Sequence, residues 1–223
     1  MTSADAPKPP ERRSIAFNLG GILVAVALLG IGLAYGLDNA RRQHRAAASE
    51  ETATVTRTLA GHEYDIPLNW FRFEEQKTEG FADQIDLRFL LPLGAEGMLR
   101  EVDVQLIPRS RARPSAGLLD GVYLHQFLPK QLQGPPGLVG KPLVPKEGFE
   151  DETVWYDALS ANPFVAKCMA PIAGEGPARC LRTVLFADIA AVYAFDADVL
   201  ENWRNFDPYM LELLGRIGIK PQS

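Results

Sequence analysis

Cysteine and histidine are scarce, with two and three residues in a chain of 223. A disulfide-dense miniprotein is thereby excluded, and Cys168 and Cys180, alone at C-x11-C spacing with no histidine near, lack the further ligands that a zinc site needs. Basic charge is short too: 23 Lys and Arg stand against 28 Asp and Glu, so the basic footprint of a nucleic-acid binder is missing. No serine sits in a G-x-S-x-G elbow or an S-x-x-K pair. Gly174-Glu-Gly176 is too short to cradle a phosphate and has no Lys-Ser or Lys-Thr after it, so it reads as hairpin turn chemistry and no nucleotide cofactor is implied. A hydrophobic share of 47% removes a disordered chain from consideration.

Charge is absent altogether from one place, the 23 positions from Ile15 to Leu37. At about 1.5 Å per residue such a helix is roughly 35 Å long and crosses a hydrocarbon core of about 30 Å. A cleavable signal needs only about 7 to 15 apolar residues. Ala46-Ala47-Ala48 lies beyond the run behind Arg41, Arg42 and Arg45, which suits a membrane-proximal stalk better than a cleavage site. The segment therefore predicts an uncleaved anchor. Its flanks tie in basic charge, Lys8, Arg12 and Arg13 against Arg41, Arg42 and Arg45, so charge alone does not orient it. The cysteines help. They bracket a turn-rich segment between two strand-like runs, where their Cα atoms can approach to bridging distance, and two lone cysteines so placed point to an oxidising compartment, the alternative being two free buried thiols in a cytoplasmic domain. Gly32 and Gly36 form a G-x-x-x-G in the anchor, a candidate for helix pairing that membrane-helix composition also explains. Homo-oligomerisation has no further support.

The resulting organisation is a cytoplasmic tail (1–14), a transmembrane helix (15–37), a polar stalk (38–57) and a periplasmic domain (58–223). The domain holds 16 basic and 23 acidic residues, a balance that suits an aqueous compartment and opposes lying flat on an anionic membrane. About 165 residues make one domain able to bury roughly 70% of its unfolded surface. Apolar and polar positions alternate over Gln84–Leu91 and Glu101–Ile107, which predicts strands with one wet face. Val55–Leu59 and His62–Ile66 flank Ala60-Gly61 as a hairpin, and Thr153–Leu159, Phe164–Met169, Leu181–Phe186 and Ile189–Phe195 are further strands, the last two antiparallel across Ala187-Asp188. Ser115 is read as the N-cap of a helix reaching about Leu128. A second helix runs from Leu200 to Ile217 with a break at Asp207-Pro208, and Asp196 and Asp198 ahead of it should satisfy its free amides. Strands, a helix, more strands and a final helix predict an α+β fold with a mostly antiparallel sheet and two helices.

Candidate chemistry is thin. His44 falls in the stalk, and His62 and His125 have no partner at metal-ligand or general-base spacing. The carboxylates Glu74-Glu75, Glu150-Asp151-Glu152 and Asp196, Asp198, Glu201 leave a hydrolase as the alternative, though such clusters usually form solvated faces. Two segments are candidate binding surfaces. Arg109, Arg111 and Arg113 lie in one proline-bounded loop that either is simply solvated or meets phosphate, lipid headgroups or an acidic partner. Gly134 to Gly148 has eight glycines and prolines in fifteen positions and carries Leu138, Val139, Leu143 and Val144, which either cover the sheet or meet a protein partner.

Tyr64-Asp-Ile-Pro67 with Asn69, Cys180-Leu-Arg-Thr183, and Tyr193-Ala-Phe-Asp196 with Leu200 and Trp203-Arg204 resemble single-span proteins of Gram-negative bacteria that carry a periplasmic domain, over roughly Gly61 to Ile217. The resemblance implies location and no activity. Together these readings predict a single-pass inner-membrane protein, not an enzyme, whose periplasmic domain is a non-catalytic interaction or accessory subunit of an envelope complex. The alternatives are an envelope hydrolase or a binding module for an anionic envelope ligand. An alkaline phosphatase reporter fused after Ser223 is expected to be active in cells, with Cys168 and Cys180 labelled by thiol reagents only after reduction. An inactive fusion would reverse the orientation.

Overall fold

Leu59 and His62 face each other across a two-residue turn. A computed structural model describes residues 53–146, 151–171 and 176–220, all within the compact unit Thr52–Ser223. Strands β1 (Thr54–Leu59) and β2 (His62–Pro67) pair antiparallel. Ala60 and Gly61 between them both have positive φ, 51° and 84°, the requirement of a type I′ hairpin turn, which glycine meets without strain. β3 (Gly80–Phe81) joins β1 in parallel, giving a small sheet in the order β2-β1-β3.

The main sheet has seven strands: β4 (Ile85–Leu91), β5 (Arg100–Pro108), β6 (Val139–Pro142), β7 (Thr153–Tyr156), β8 (Val165–Met169), β9 (Arg179–Leu185) and β10 (Ile189–Asp196). Their order is β4-β5-β10-β9-β8-β7-β6, with every neighbouring pair antiparallel. The α+β class and the antiparallel sheet stand as the periodicity indicates. β7 stops at Tyr156, short of the expected Leu159, because the Asp157 side chain accepts the Leu159 amide at 3.0 Å and turns the chain. Cys168 and Cys180 sit directly opposite each other in β8 and β9, with Cα atoms 3.9 Å apart, and are joined as a disulfide.

Both helices differ from the expected form. α1 covers only Ser115–Gly121 and is followed by a 3-10 turn at Tyr123–Gln126. Pro114, extended at ψ 144°, occupies the N-cap, and Gly117 and Gly121 weaken so short a helix. Ser115 is the first helical residue; its hydroxyl is turned to the sheet and accepts the Thr183 amide at 2.9 Å. α2 runs unbroken over Trp203–Arg216 through Pro208, behind a 3-10 segment at Ala197–Asn202. A proline inside a helix costs about 3 kcal/mol. Here Phe206 precedes it and Met210 and Leu214 follow it on one buried face, and burying each such side chain contributes about 1.5–3 kcal/mol, enough to hold the helix together across the missing hydrogen bond. Asp196 and Asp198 do not cap by side chain; they bind Arg179 at 2.9 Å and Arg100 at 2.5 Å.

One face of β4, β5 and β10 supplies Ile85, Leu87, Val104, Leu106, Tyr193 and Phe195 to a core closed by α2 and by Leu59 and Ile66 of the small sheet. A lesser core of Leu119, Leu143, Val154 and Val165 lies under α1. Among the described residues no helix is long and apolar enough to cross a membrane. The run from Ile15 to Leu37, with Gly32 and Gly36, falls outside the described residues, as does the stalk up to Thr52. Phe206, fully buried among Phe164, Tyr193 and Phe195, is the residue whose truncation the fold should tolerate least. Phe206→Ala is expected to lower unfolding free energy by about 3–5 kcal/mol in chemical denaturation. Leu159→Ala, at a side chain 96% exposed, should stay within about 0.5 kcal/mol.

Candidate functional site: a charged trough and a cavity

The face of the main sheet turned away from α2 is polar, and two aspartates are buried in it. Asp86 of β4 and Asp103 of β5 are each only 6% exposed. This corrects the expectation of a simple wet face. Asp86 accepts from the side-chain amides of Gln76 (2.7 Å), Gln84 (2.9 Å) and Gln105 (3.2 Å), and its backbone amide donates to Gln76 Oε1 at 2.8 Å. Asp103 is surrounded by arginines, with Arg88 Nε at 2.8 Å, Arg179 at 3.2 Å and Arg72 at 3.3 Å. Arg88 also meets Glu101 at 3.2 Å, and Arg179 also meets Asp196. The hydrogen bond to Asp103 raises the Arg88 guanidinium above its ordinary pKa, against the opposing effect of burial. Between these side chains Leu181, Val192 and Ala194 floor a shallow trough of about 270 Å³. Its charged groups hold one another in place, an arrangement suited to presenting a fixed pattern of charge.

A larger cavity, about 400 Å³, opens where β9 runs on past its last pair with β8. Arg182 fills part of that gap. Its side chain, 7% exposed, donates Nε and one terminal nitrogen to the two carboxylate oxygens of Asp207 in α2, at 2.9 and 2.6 Å, and another to the Val165 carbonyl at 3.2 Å. The guanidinium stacks on Phe164 at 4.4 Å. Tyr193 of β10 also lines the cavity, and burial, then Asp207, holds its phenol well above the ordinary tyrosine pKa.

The residues singled out from sequence do not form one site. Arg109 is half-buried and donates to the Phe186 carbonyl at 2.8 Å, fastening the β9–β10 turn. Arg111 reaches Asp83 at 3.6 Å, and Arg113 is exposed without a hydrogen bond or ion pair among the described residues. The three arginines therefore part company. Leu138 and Leu143 are buried, at 8% and 6% exposure, and so are not available as partner contacts; Val139 is partly buried in β6, and only Val144 is exposed. The glycines of this stretch have a packing reason. The Trp155 ring lies against Gly134 and Gly140, where any Cβ would overlap it. His62 meets Asp188 at 2.9 Å on the surface, and His125 is exposed in the 3-10 turn. Among the described residues no group of three His, Cys, Asp or Glu side chains could hold a metal ion.

No site role was read from the sequence for Asp103, Arg88, Arg179, Arg182 or Tyr193, although Arg182 and Tyr193 lie in segments that carry the resemblance. A basic Arg88 on the polar positions of one alternating strand and an acidic Glu101-x-Asp103 on those of the next are a signal for cross-strand pairing once the two strands are taken as neighbours. Arg179 and Arg182 carry no such signal without the register.

No family model matches the chain, and no curated protein matches it. Two solved structures match the chain in part. Smlt3025, an immunity protein of the Stenotrophomonas maltophilia type IV secretion system, is 11% identical, with 74% of this chain and 93% of that one covered and a TM-score of 0.50. The iron-regulated outer membrane lipoprotein FrpD of Neisseria meningitidis is 10% identical over 75% of this chain and 93% of that one, with a TM-score of 0.48. At 11% identity the likeness to Smlt3025 is one of fold.

Removing the central carboxylate of the trough should expose the strength of its network. Asp103→Ala leaves three guanidinium groups facing one another and is expected to cost about 2–3 kcal/mol, the scale of hydrogen bonds to charged groups. Thr56→Ala, which removes an exposed hydrogen bond to Asp65, should cost under about 1 kcal/mol in the same denaturation assay.

Proposed function

We propose that the chain is a single-pass inner-membrane protein whose domain works in the periplasm as a non-catalytic accessory subunit, docking a protein partner on the polar face of its main sheet. The observation that carries this reading is the trough between Arg72, Arg88, Asp103 and Arg179, a fixed arrangement of charge around an apolar floor. Charged groups already ordered in the free protein lose little freedom on association, and their pattern discriminates between partners. The compartment rests on the Cys168–Cys180 disulfide, which suits an oxidising environment, and the tether rests on the uncharged run from Ile15 to Leu37. The fold adds that an architecture of this kind serves in Smlt3025, described as an immunity protein.

A photocrosslinking amino acid placed at Val192, on the trough floor, tests the reading in cells expressing the full chain. A discrete higher-mass adduct in the membrane fraction is expected. It should be absent with the same probe at Leu159 and lost in Arg179→Glu. No adduct at Val192, or the same adducts at both positions, would overturn the docking face.

A further inference from the structure

We propose that the cavity beside β9 is a binding site for a small amphipathic anion, with its acidic group on Arg109, its apolar body on Phe186, Met210 and Leu211, and an oxygen acceptor facing the Tyr193 hydroxyl. The site is separate from the trough and does not depend on the docking role.

Three observations carry it. The first is an unspent donor. Tyr193 is 1% exposed and lines the cavity, and its hydroxyl makes no hydrogen bond among the described residues. The hydroxyl is not one of the fully buried polar atoms left without a partner, so it opens on the cavity, where water or a ligand oxygen can accept from it. Burial and the nearby Asp207 carboxylate keep that phenol protonated, so it donates.

The second is the charge within the cavity. Arg182 and Asp207 bind each other through two hydrogen bonds and neutralise each other, and the remaining Arg182 hydrogen bond goes to the Val165 carbonyl. Arg109 is different. One of its terminal nitrogens holds the Phe186 and Ala187 carbonyls, and no carboxylate accompanies it among the described residues. One positive charge is left over at the wall of a site in an otherwise acidic domain, which selects an anion and leaves planar donors for a carboxylate or sulfonate.

The third is size and lining. About 400 Å³ falls within the usual range for small-molecule sites, and Phe186, Met210 and Leu211 give it apolar surface next to these few polar groups. The chain makes room for it structurally. β8 pairs with β9 only as far as Lys167 opposite Leu181, and beyond that point the Ser115 hydroxyl, not a strand, accepts the Thr183 amide.

Met210 provides a local reporter, because Met98 and Met169 do not line the cavity. The full chain, held in a lipid nanodisc with its methionine methyl groups labelled with carbon-13, is titrated with 4-benzoylbutyrate, which joins a carboxylate, a ketone and a phenyl ring. A saturable shift of the Met210 signal is expected while Met98 and Met169 stay still. The neutral methyl ester should bind at least tenfold more weakly, and Arg109→Gln should weaken the acid similarly. Tyr193→Phe, which keeps the ring in the core, should weaken 4-benzoylbutyrate at least fivefold and leave 5-phenylpentanoate, which lacks the ketone, unchanged. Absence of a saturable Met210 shift, equal binding of acid and ester, or an equal loss for both probes in Tyr193→Phe would overturn the proposal.

Discussion

Phe206 packing against the sheet is the contact on which the rest of the domain rests. Its ring centroid lies 4.7 Å from Phe195, 5.4 Å from Tyr193 and 6.0 Å from Phe164, in tilted and edge-on arrangements that aromatic quadrupoles favour. This one side chain ties α2 to β10 and to the segment entering β8. Asp207 follows it directly, so seating Phe206 also delivers a carboxylate to Arg182. The charged pair, the helix that continues through Pro208 and the far wall of the cavity all derive from that placement.

The same sheet carries two different solutions to burying charge. On the α2 side Arg182 is shielded by an aromatic face and satisfied by Asp207 and a backbone carbonyl. On the other side Asp86 and Asp103 are shielded by long polar side chains, glutamines for one and arginines for the other. Each carboxylate accepts several donors, which is what keeps a buried charge from being prohibitive. Folding these aspartates into the sheet thus depends on residues from three strands, β4, β5 and β9, and from the segments after β2 and β3, so the polar face assembles together with the tertiary structure.

How much of this was legible in the sequence varied with the range of the cause. Local signals, alternation for β4 and β5 and strand-like runs bounded by turn residues for six more, placed eight of the ten strands to within a few residues, since both act whatever the strand's neighbours. β6 was hidden because its Gly and Pro content reads as loop; its glycine exists to admit the ring of Trp155, fifteen residues onward. Pro208 and Ser115 misled for the related reason that local rules for caps and breaks were overridden by tertiary partners, Phe206 with Met210 in one case and the Thr183 amide in the other. Of the candidate site residues, the cysteines were found because a hairpin brings them together at short range, whereas Arg109, Arg111 and Arg113 are close in sequence but diverge to three separate surroundings. The trough and the cavity needed the strand order, which no single segment encodes.

The position of the cystine gives it a mechanical part beyond its chemistry. Cys168 and Cys180 form the rung next to the last one, Lys167 with Leu181, beyond which the two strands part. It is placed like the bottom stop of a zip fastener: the strands can separate on one side of it, where Ser115 and Arg182 fill the gap, but the opening cannot run past it toward Met169 and Arg179. The space beside β9 is therefore bounded by a covalent cross-link that forms no part of its wall.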